Sequence, residues 1–274
     1  MLSKSTPPQG NLPKILIAIA ISYLVLILLA PAINVFWQAF HEGFGPFFGT
    51  FKDVDFTSAI SLTFLIALIV VPINTVFGVC AAWAIARNQF WGRSLVLSLL
   101  DLPFSISPVV AGVMMVLLYG NRGWFGSWFN AIGVKVIFGL PGMVLATAFV
   151  TLPFVAREII PVLEEVGPEQ EDAARTLGAN DWQLFWHVTL PNIRWGLLYG
   201  VILTNARAMG EFGAVSVVSG NIARKTQTLS LFVEEAYKQY AITEAFAAAT
   251  LLALLGLVTL LLKLFLEQQL NKSE

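Results

Sequence analysis

Residues 55–87 read DFTSAISLTFLIALIVVPINTVFGVCAAWAIAR, and no charge interrupts them between Asp55 and Arg87. The apolar positions within Ala59–Val71 are continuous rather than alternating. A bilayer core is crossed by roughly 20 mainly apolar residues in a helix. Lipid offers no partner to backbone N–H and C=O groups, so only helices and closed barrels can span it. A barrel needs alternating segments of about ten residues. This run does not alternate, and neither does Leu251–Leu262. The stretch predicts a transmembrane helix and sets the class of the chain.

Working outward, similar runs lie between Lys14 and Glu42, Asp101 and Arg122, Lys135 and Arg157, and Glu244 and Lys263. Another, about Trp195–Ser219, is interrupted by Arg207 and Glu211. The expectation is an all-α integral membrane protein with six transmembrane helices, at about 15–36, 57–86, 95–119, 138–160, 195–219 and 243–265. Together they make one membrane domain over 15–266, with short tails at 1–14 and 267–274. Ala30-Pro31-Ala32 resembles a signal cleavage site, but the apolar run is longer than the usual 7–15 residues, so a retained anchor is expected.

Composition agrees. Of 274 residues, 57% are hydrophobic and 12% charged, against about 45–50% and about 25% in soluble domains. The 16 Lys+Arg and 17 Asp+Glu leave no excess that would attract nucleic acid. One cysteine, Cys80, excludes an internal disulfide framework, and His41 and His187 lack metal-ligand company. Cys80 is expected to pack as a small apolar residue. No metal site and no catalytic nucleophile–base set is expected. With the N-terminus in the cytoplasm, nine Lys/Arg fall inside and six outside, which follows the positive-inside rule. Both termini are then cytoplasmic, and the protein is a multi-pass component of a cell membrane.

The longest polar connection, Pro161–Arg194, is where function is sought first. Gly167-Pro168 closes the preceding helix, and Pro168 suits a helix start. Glu169, Glu171 and Asp172 complement the N-terminal dipole. Ala173, Ala174 and Leu177 form a small apolar face, and Gly178 is a natural stop. Asn180 or Asp181 can cap a second short helix through Val188, which Leu190-Pro191 is expected to end. The prediction is a cytoplasmic hairpin at 168–191. A plain surface connector is the simpler account of it, since amphipathic connectors are common at membranes. A docking element is the sharper one.

At these residues the chain resembles a known family. Asp172-Ala173-Ala174-x3-Gly178-x9-Val188-x-Leu190-Pro191 is similar to the EAA motif of permease subunits from bacterial ATP-binding-cassette importers. Asp172 replaces the family's usual glutamate, with Glu171 just before it, and Val188 replaces the usual isoleucine. The resemblance implies a coupling helix in which Glu171, Asp172, Ala173, Ala174, Gly178, Leu190 and Pro191 contact an ATPase. Leu190–Trp195, Thr204–Val215 and Asp101–Pro108 resemble the sulfate and thiosulfate subgroup. Molybdate permeases share the Gly210-Glu211-Phe212-Gly213 core, so molybdate or tungstate stands as the alternative cargo. The resemblance further implies two ATPase subunits carrying ATP and Mg2+, a second permease of the same subgroup and an extracytoplasmic sulfate-binding protein. This sequence has no G-x-x-x-x-G-K-[ST] phosphate loop, so no cofactor and no nucleotide chemistry of its own is expected.

Cargo of this kind is a hydrated dianion, and an uncompensated buried charge costs several kcal/mol or more. Donors must therefore line its path. Arg207 and Glu211 lie four apart on one helix face, in reach of each other. Charges within spans commonly face a wet cavity or a bundle interior. They either mark the path or neutralise each other where two subunits pack. Gly210 and Gly213 allow close helix contact or a bend. Asp101, Ser105 and Ser107 belong to a second candidate segment, Asp101–Pro108, in which Pro103 and Pro108 disrupt helical hydrogen bonding. Its hydroxyls either donate to oxyanion oxygens or bond their own backbone carbonyls. An ion-coupled secondary carrier remains the alternative mechanism, which would normally carry ionisable residues at several depths.

Overall fold

The computed structural model describes residues 11–273, so the expected N-terminal tail lies largely outside the described residues. The chain is helical throughout them, with short connections. Helix α1 (Asn11–Leu24) continues through a π-helical turn, Val25–Leu29, into α2 (Ala30–Phe40). After the short α3 (Phe44–Thr50) comes α4 (Val54–Arg87), capped by Asp53, whose side chain accepts from the Asp55 N–H at 2.9 Å. Pro72 is carried inside α4. Cys80 is exposed on that helix rather than packed, because Gly78 and Ala82 take the buried positions on either side of it.

The third expected span is broken and not merely kinked. It is two helices, α5 (Arg93–Ser105) and α6 (Pro108–Tyr119), meeting at 109°. Ile106 and Ser107 between them are extended, with ψ of 132° and 134°. Pro108 pushes the residue before it out of helical geometry and donates no backbone hydrogen bond, so the chain turns there.

Beyond the short α7 (Gly126–Ala131), α8 (Leu140–Thr151) and α9 (Pro153–Val166) run on as one apolar stretch, Leu140–Val166. Then come the hairpin helices α10 (Glu169–Thr176) and α11 (Asp181–Leu184). From α11 the chain passes through a second π-helical turn, Phe185–Thr189, into α12 (Leu190–Met209). Leu190-Pro191 does not end the second hairpin helix, contrary to the expectation. The Leu190 N–H reaches back five residues to the Phe185 carbonyl, and this wider turn makes room for the proline ring. Pro31 is accommodated in the same way, with the Ala30 N–H on the Val25 carbonyl.

Helix α12 stops at Met209, and α13 (Gly213–Ser219), α14 (Leu229–Lys238) and α15 (Ile242–Ser273) follow. Among the described residues, four stretches are long and apolar enough to cross a membrane: Lys14–Phe40, Val54–Arg87, Leu140–Val166 and Ile242–Phe265. The bent α5–α6 pair makes a fifth if it counts as one span. The expected span at 195–219 is not among them. Its polar residues Asn205 and Arg207 and the break at Gly210–Phe212 shorten it. The tail expected at 267–274 is helical to Ser273, as the end of α15.

The core is assembled around α4, α9 and α12, and small residues let these helices touch. A Cβ on Gly78 of α4 would fall 2.6 Å from Val155 Cβ, and one on Gly200 of α12 would fall 2.9 Å from Val155 Cα. One cluster packs Ile85, Ile159, Leu163 and Ile193 at the hairpin end. Another packs Ile66, Val70, Met143 and Val215 toward the opposite end.

Candidate functional site

The hairpin is built by local chemistry and then fastened. Helix α10 ends in paired reverse bonds: the Gly178 N–H donates to the Arg175 carbonyl at 3.0 Å and the Ala179 N–H to the Ala174 carbonyl at 3.0 Å. That arrangement needs a left-handed residue, and Gly178 has φ +89°. Asn180 then opens α11 with a reciprocal cap. Its side chain accepts from the Gln183 N–H at 2.8 Å, and its own N–H donates to the Gln183 side chain at 3.1 Å. Arg175 and Asp181 bridge the two arms at 3.4 Å.

Glu171 fastens the hairpin to the bundle. Arg87, at the end of α4, donates from Nε to Glu171 Oε2 at 3.0 Å and from Nη2 to Oε1 at 3.2 Å. Its Nη1 donates to the Leu163 carbonyl at 2.6 Å, at the end of α9. The Thr189 hydroxyl donates to Glu171 Oε1 at 2.9 Å. Both charged side chains are about nine-tenths buried. Glu171 thus faces inward, whereas its neighbour Asp172 is exposed. Outward, the hairpin presents Leu177 at 88% exposure and Trp182 at 71%, beside Gly178. The role of Arg87 and Thr189 in holding Glu171 was not legible from the motif. A buried carboxylate needs a partner, but nothing local points to residues 84 and 18 positions away.

The second group of residues meets where two helices break. Gly213 opens α13 directly against Pro108, which opens α6: a Cβ on Gly213 would fall 2.8 Å from Pro108 Cβ. Gly112 of α6 likewise lies against Ala214. Gly210 closes α12 at the break. In the gap between α12 and α13, the Glu211 carboxylate accepts from the Ala214 N–H at 2.8 Å and pairs with Arg207 at 2.6 Å. The Glu211 side chain is buried, while about a third of the Arg207 side chain remains accessible. Glu211 therefore fixes Arg207 without hiding it.

Ser105 and Ser107 flank the α5–α6 break, and both are exposed. Neither hydroxyl has a hydrogen-bond partner among the described residues, so the expected alternative of back-bonding to their own helix is not realised. Asp101 is separate from them, in an ion pair with Arg157 that ties α5 to α9.

A bundle of apolar helices broken at two touching points, with a polar hairpin clamped to one end, is the build of a membrane permease. Comparison with known proteins makes this specific: the chain belongs to the family described as binding-protein-dependent transport system inner membrane component, whose model matches residues 74–272. It is 65% identical over 269 residues to the sulfate transport system permease protein CysW of Synechocystis sp., covering 98% of each chain. It is 38% identical to the sulfate transport system permease protein CysT of Escherichia coli, over 87% of this chain and 88% of that one. In fold it is similar to a chain of a bacterial ABC transporter that imports the acidic polysaccharide alginate. The TM-score there is 0.76 at 19% identity, covering 95% of each chain.

Proposed function

We propose that this chain is the permease subunit of an ATP-driven importer that carries sulfate and thiosulfate across the bacterial cytoplasmic membrane. The 65% identity to a sulfate permease over nearly full length supports sulfate ahead of molybdate or tungstate. Similarity to CysT as well supports a paired arrangement, in which a second, CysT-like permease completes the path. Two ATPase subunits with ATP and Mg2+ would dock from the cytoplasm, and a sulfate-binding protein would deliver cargo from outside. In this reading both termini are cytoplasmic. The broken α5–α6 and α12–α13 segments supply the third and fifth of six passages.

The observation that carries the mechanism is the clamped hairpin. Its outer side offers Leu177, Gly178 and Trp182 to a partner, and its inner side is pinned by Glu171 to the ends of α4 and α9. Displacement of α10 by a closing ATPase would pull on those helices as one body and rock the bundle between inward- and outward-open forms. Ala173 and Ala174 keep that surface shallow, and Leu190 and Pro191 carry the movement into α12. For the cargo, Arg207 supplies positive potential and Ser105 and Ser107 supply neutral donors. Glu211 and Asp101 hold the geometry through their ion pairs. A dianion needs that compensation in a low-dielectric passage.

The test is uptake of labelled sulfate into vesicles containing the assembled transporter, with thiosulfate, molybdate and tungstate as competitors. ATP-dependent uptake inhibited by thiosulfate is the expected outcome. Uptake that persists without the ATPase subunits would instead identify an ion-coupled carrier.

A further inference from the structure

At the end of the bundle away from the hairpin, the last turn of α6, the loop after it and the segment leading into α8 line an open pocket of about 460 Å³ that joins two cations to an apolar wall. Arg122 and Lys135 line it together with Asn121, Leu117, Ile137 and Phe138. Arg87, Arg93, Arg157, Arg207 and Arg224 each face a carboxylate, but Arg122 and Lys135 have no hydrogen-bond or ion-pair partner among the described residues. Both are exposed at the pocket, so each keeps its donors available to an anion bound there.

Position narrows the anion. The pocket adjoins the start of α8, and the Leu140–Val166 stretch leads from there to the hairpin over 27 residues, about 40 Å at helical rise. That is the depth of a bilayer with its headgroups. Trp124 and Trp128, 85% and 60% exposed, follow Arg122 closely in the chain, and such rings favour the headgroup zone. Leu117 and Phe138 leave much of their surface uncovered in the pocket wall. A free hydrated sulfate gains nothing from that wall, whereas a lipid uses both halves of the site.

Phe138 is also held at a conformational cost. It has φ +60°, a left-handed geometry that disfavours non-glycine residues, and its N–H donates to the Val218 carbonyl at 2.8 Å. Its ring lies over Gly220, where a Cβ would fall 2.9 Å from Phe138 Cδ1. Strain of this kind persists where the surroundings over-determine it, and it clusters at ligand sites.

We infer that this pocket binds the anionic headgroup of a membrane lipid, with Arg122 and Lys135 on its phosphate or sulfonate oxygens and Leu117 and Phe138 against its glycerol and first acyl carbons. The proposal does not depend on which anion the protein transports. The assembled transporter is reconstituted in nanodiscs containing phosphatidylglycerol in phosphatidylcholine, and retained lipid is counted by native mass spectrometry after detergent exchange. The wild type is expected to retain phosphatidylglycerol in millimolar inorganic sulfate. The double substitution R122Q/K135Q is expected to weaken retention about 30-fold, as two surface cations are removed from an anionic headgroup. Both residues are exposed, so folding is preserved, and K225Q, at an exposed lysine away from the pocket, is expected to change nothing.

Equal retention by wild type and R122Q/K135Q would overturn the proposal, as would an equal loss in K225Q. Displacement of the lipid by inorganic sulfate would reassign the pocket to free oxyanion. Crosslinking of residue 122 to another polypeptide in place of lipid would reassign it to a protein contact.

Discussion

Arg87 and Glu171 form a two-point ion pair that joins the last residue of α4 to the first turn of α10, and Arg87 bonds the Leu163 carbonyl at the end of α9 as well. One guanidinium thus ties three helix ends together, and Thr189 closes the group from the chain that leads into α12.

Breaking this pair by removing one partner strands a buried charge. Glu171→Ala is expected to cost about 3–5 kcal/mol of stability, the range for a buried pair with one partner missing. Glu171→Gln keeps the shape and is expected to lower sulfate transported per ATP hydrolysed while hydrolysis continues. Proteoliposome assays that measure both rates check this. Unchanged stoichiometry in the glutamine variant would remove the clamp from the coupling mechanism.

Gly178 has open space around a would-be Cβ but a left-handed backbone. Gly178→Ala is therefore expected to cost only about 1–2 kcal/mol in the permease itself. Its larger effect is expected at the docking surface, as reduced co-purification of the ATPase. Thermal melting of the permease and pull-down of the complex separate the two effects, and retained pull-down at full yield would place the docking contact elsewhere.

At Gly78 the constraint is the neighbour rather than the backbone angle. A methyl there meets Val155 Cβ at 2.6 Å and the backbone N of Ala156 at 3.0 Å. Gly78→Ala is expected to destabilise the bundle by about 1–3 kcal/mol, as overpacking does. Pairing it with Val155→Ala is expected to recover part of that loss, read as a shift in melting midpoint in detergent.

A substitution at Arg207 is expected to separate transport from assembly. Arg207→Ala is expected to leave the complex intact and reduce sulfate uptake at least tenfold, with Arg207→Lys intermediate because it keeps the charge without the planar fork. Glu211→Gln is expected to reduce uptake by loosening Arg207 and the start of α13. Intact assembly with normal uptake in Arg207→Ala would end the path assignment.

Much of this was legible along the chain. The run from Asp55 to Arg87 declares a membrane helix from composition alone, and Gly178 with Asn180 and Gln183 specifies the hairpin from residues within a few positions of one another. Both signals are local. The α5–α6 break was legible only as a disturbance: Pro108 announces that a helix cannot continue unaltered, but a bend of 109° depends on α6 settling against Gly213 and Ala214 of α13. Pro191 carries the same local announcement, yet the chain remains helical there because a wider turn before it takes up the ring.

The sequence by itself determined that this is a helical membrane protein with a polar hairpin and an arginine–glutamate pair in an apolar segment. Those properties follow from hydrophobicity, helical spacing and backbone preference over a few turns. Only the tertiary structure decided that Glu171 turns inward to Arg87 while Asp172 stays outside, that Ser105 and Ser107 keep free hydroxyls, and that Arg122 and Lys135 share a pocket. The physical reason is that an ion pair or a pocket wall is made by residues distant in the chain, whose meeting is set by how whole helices pack.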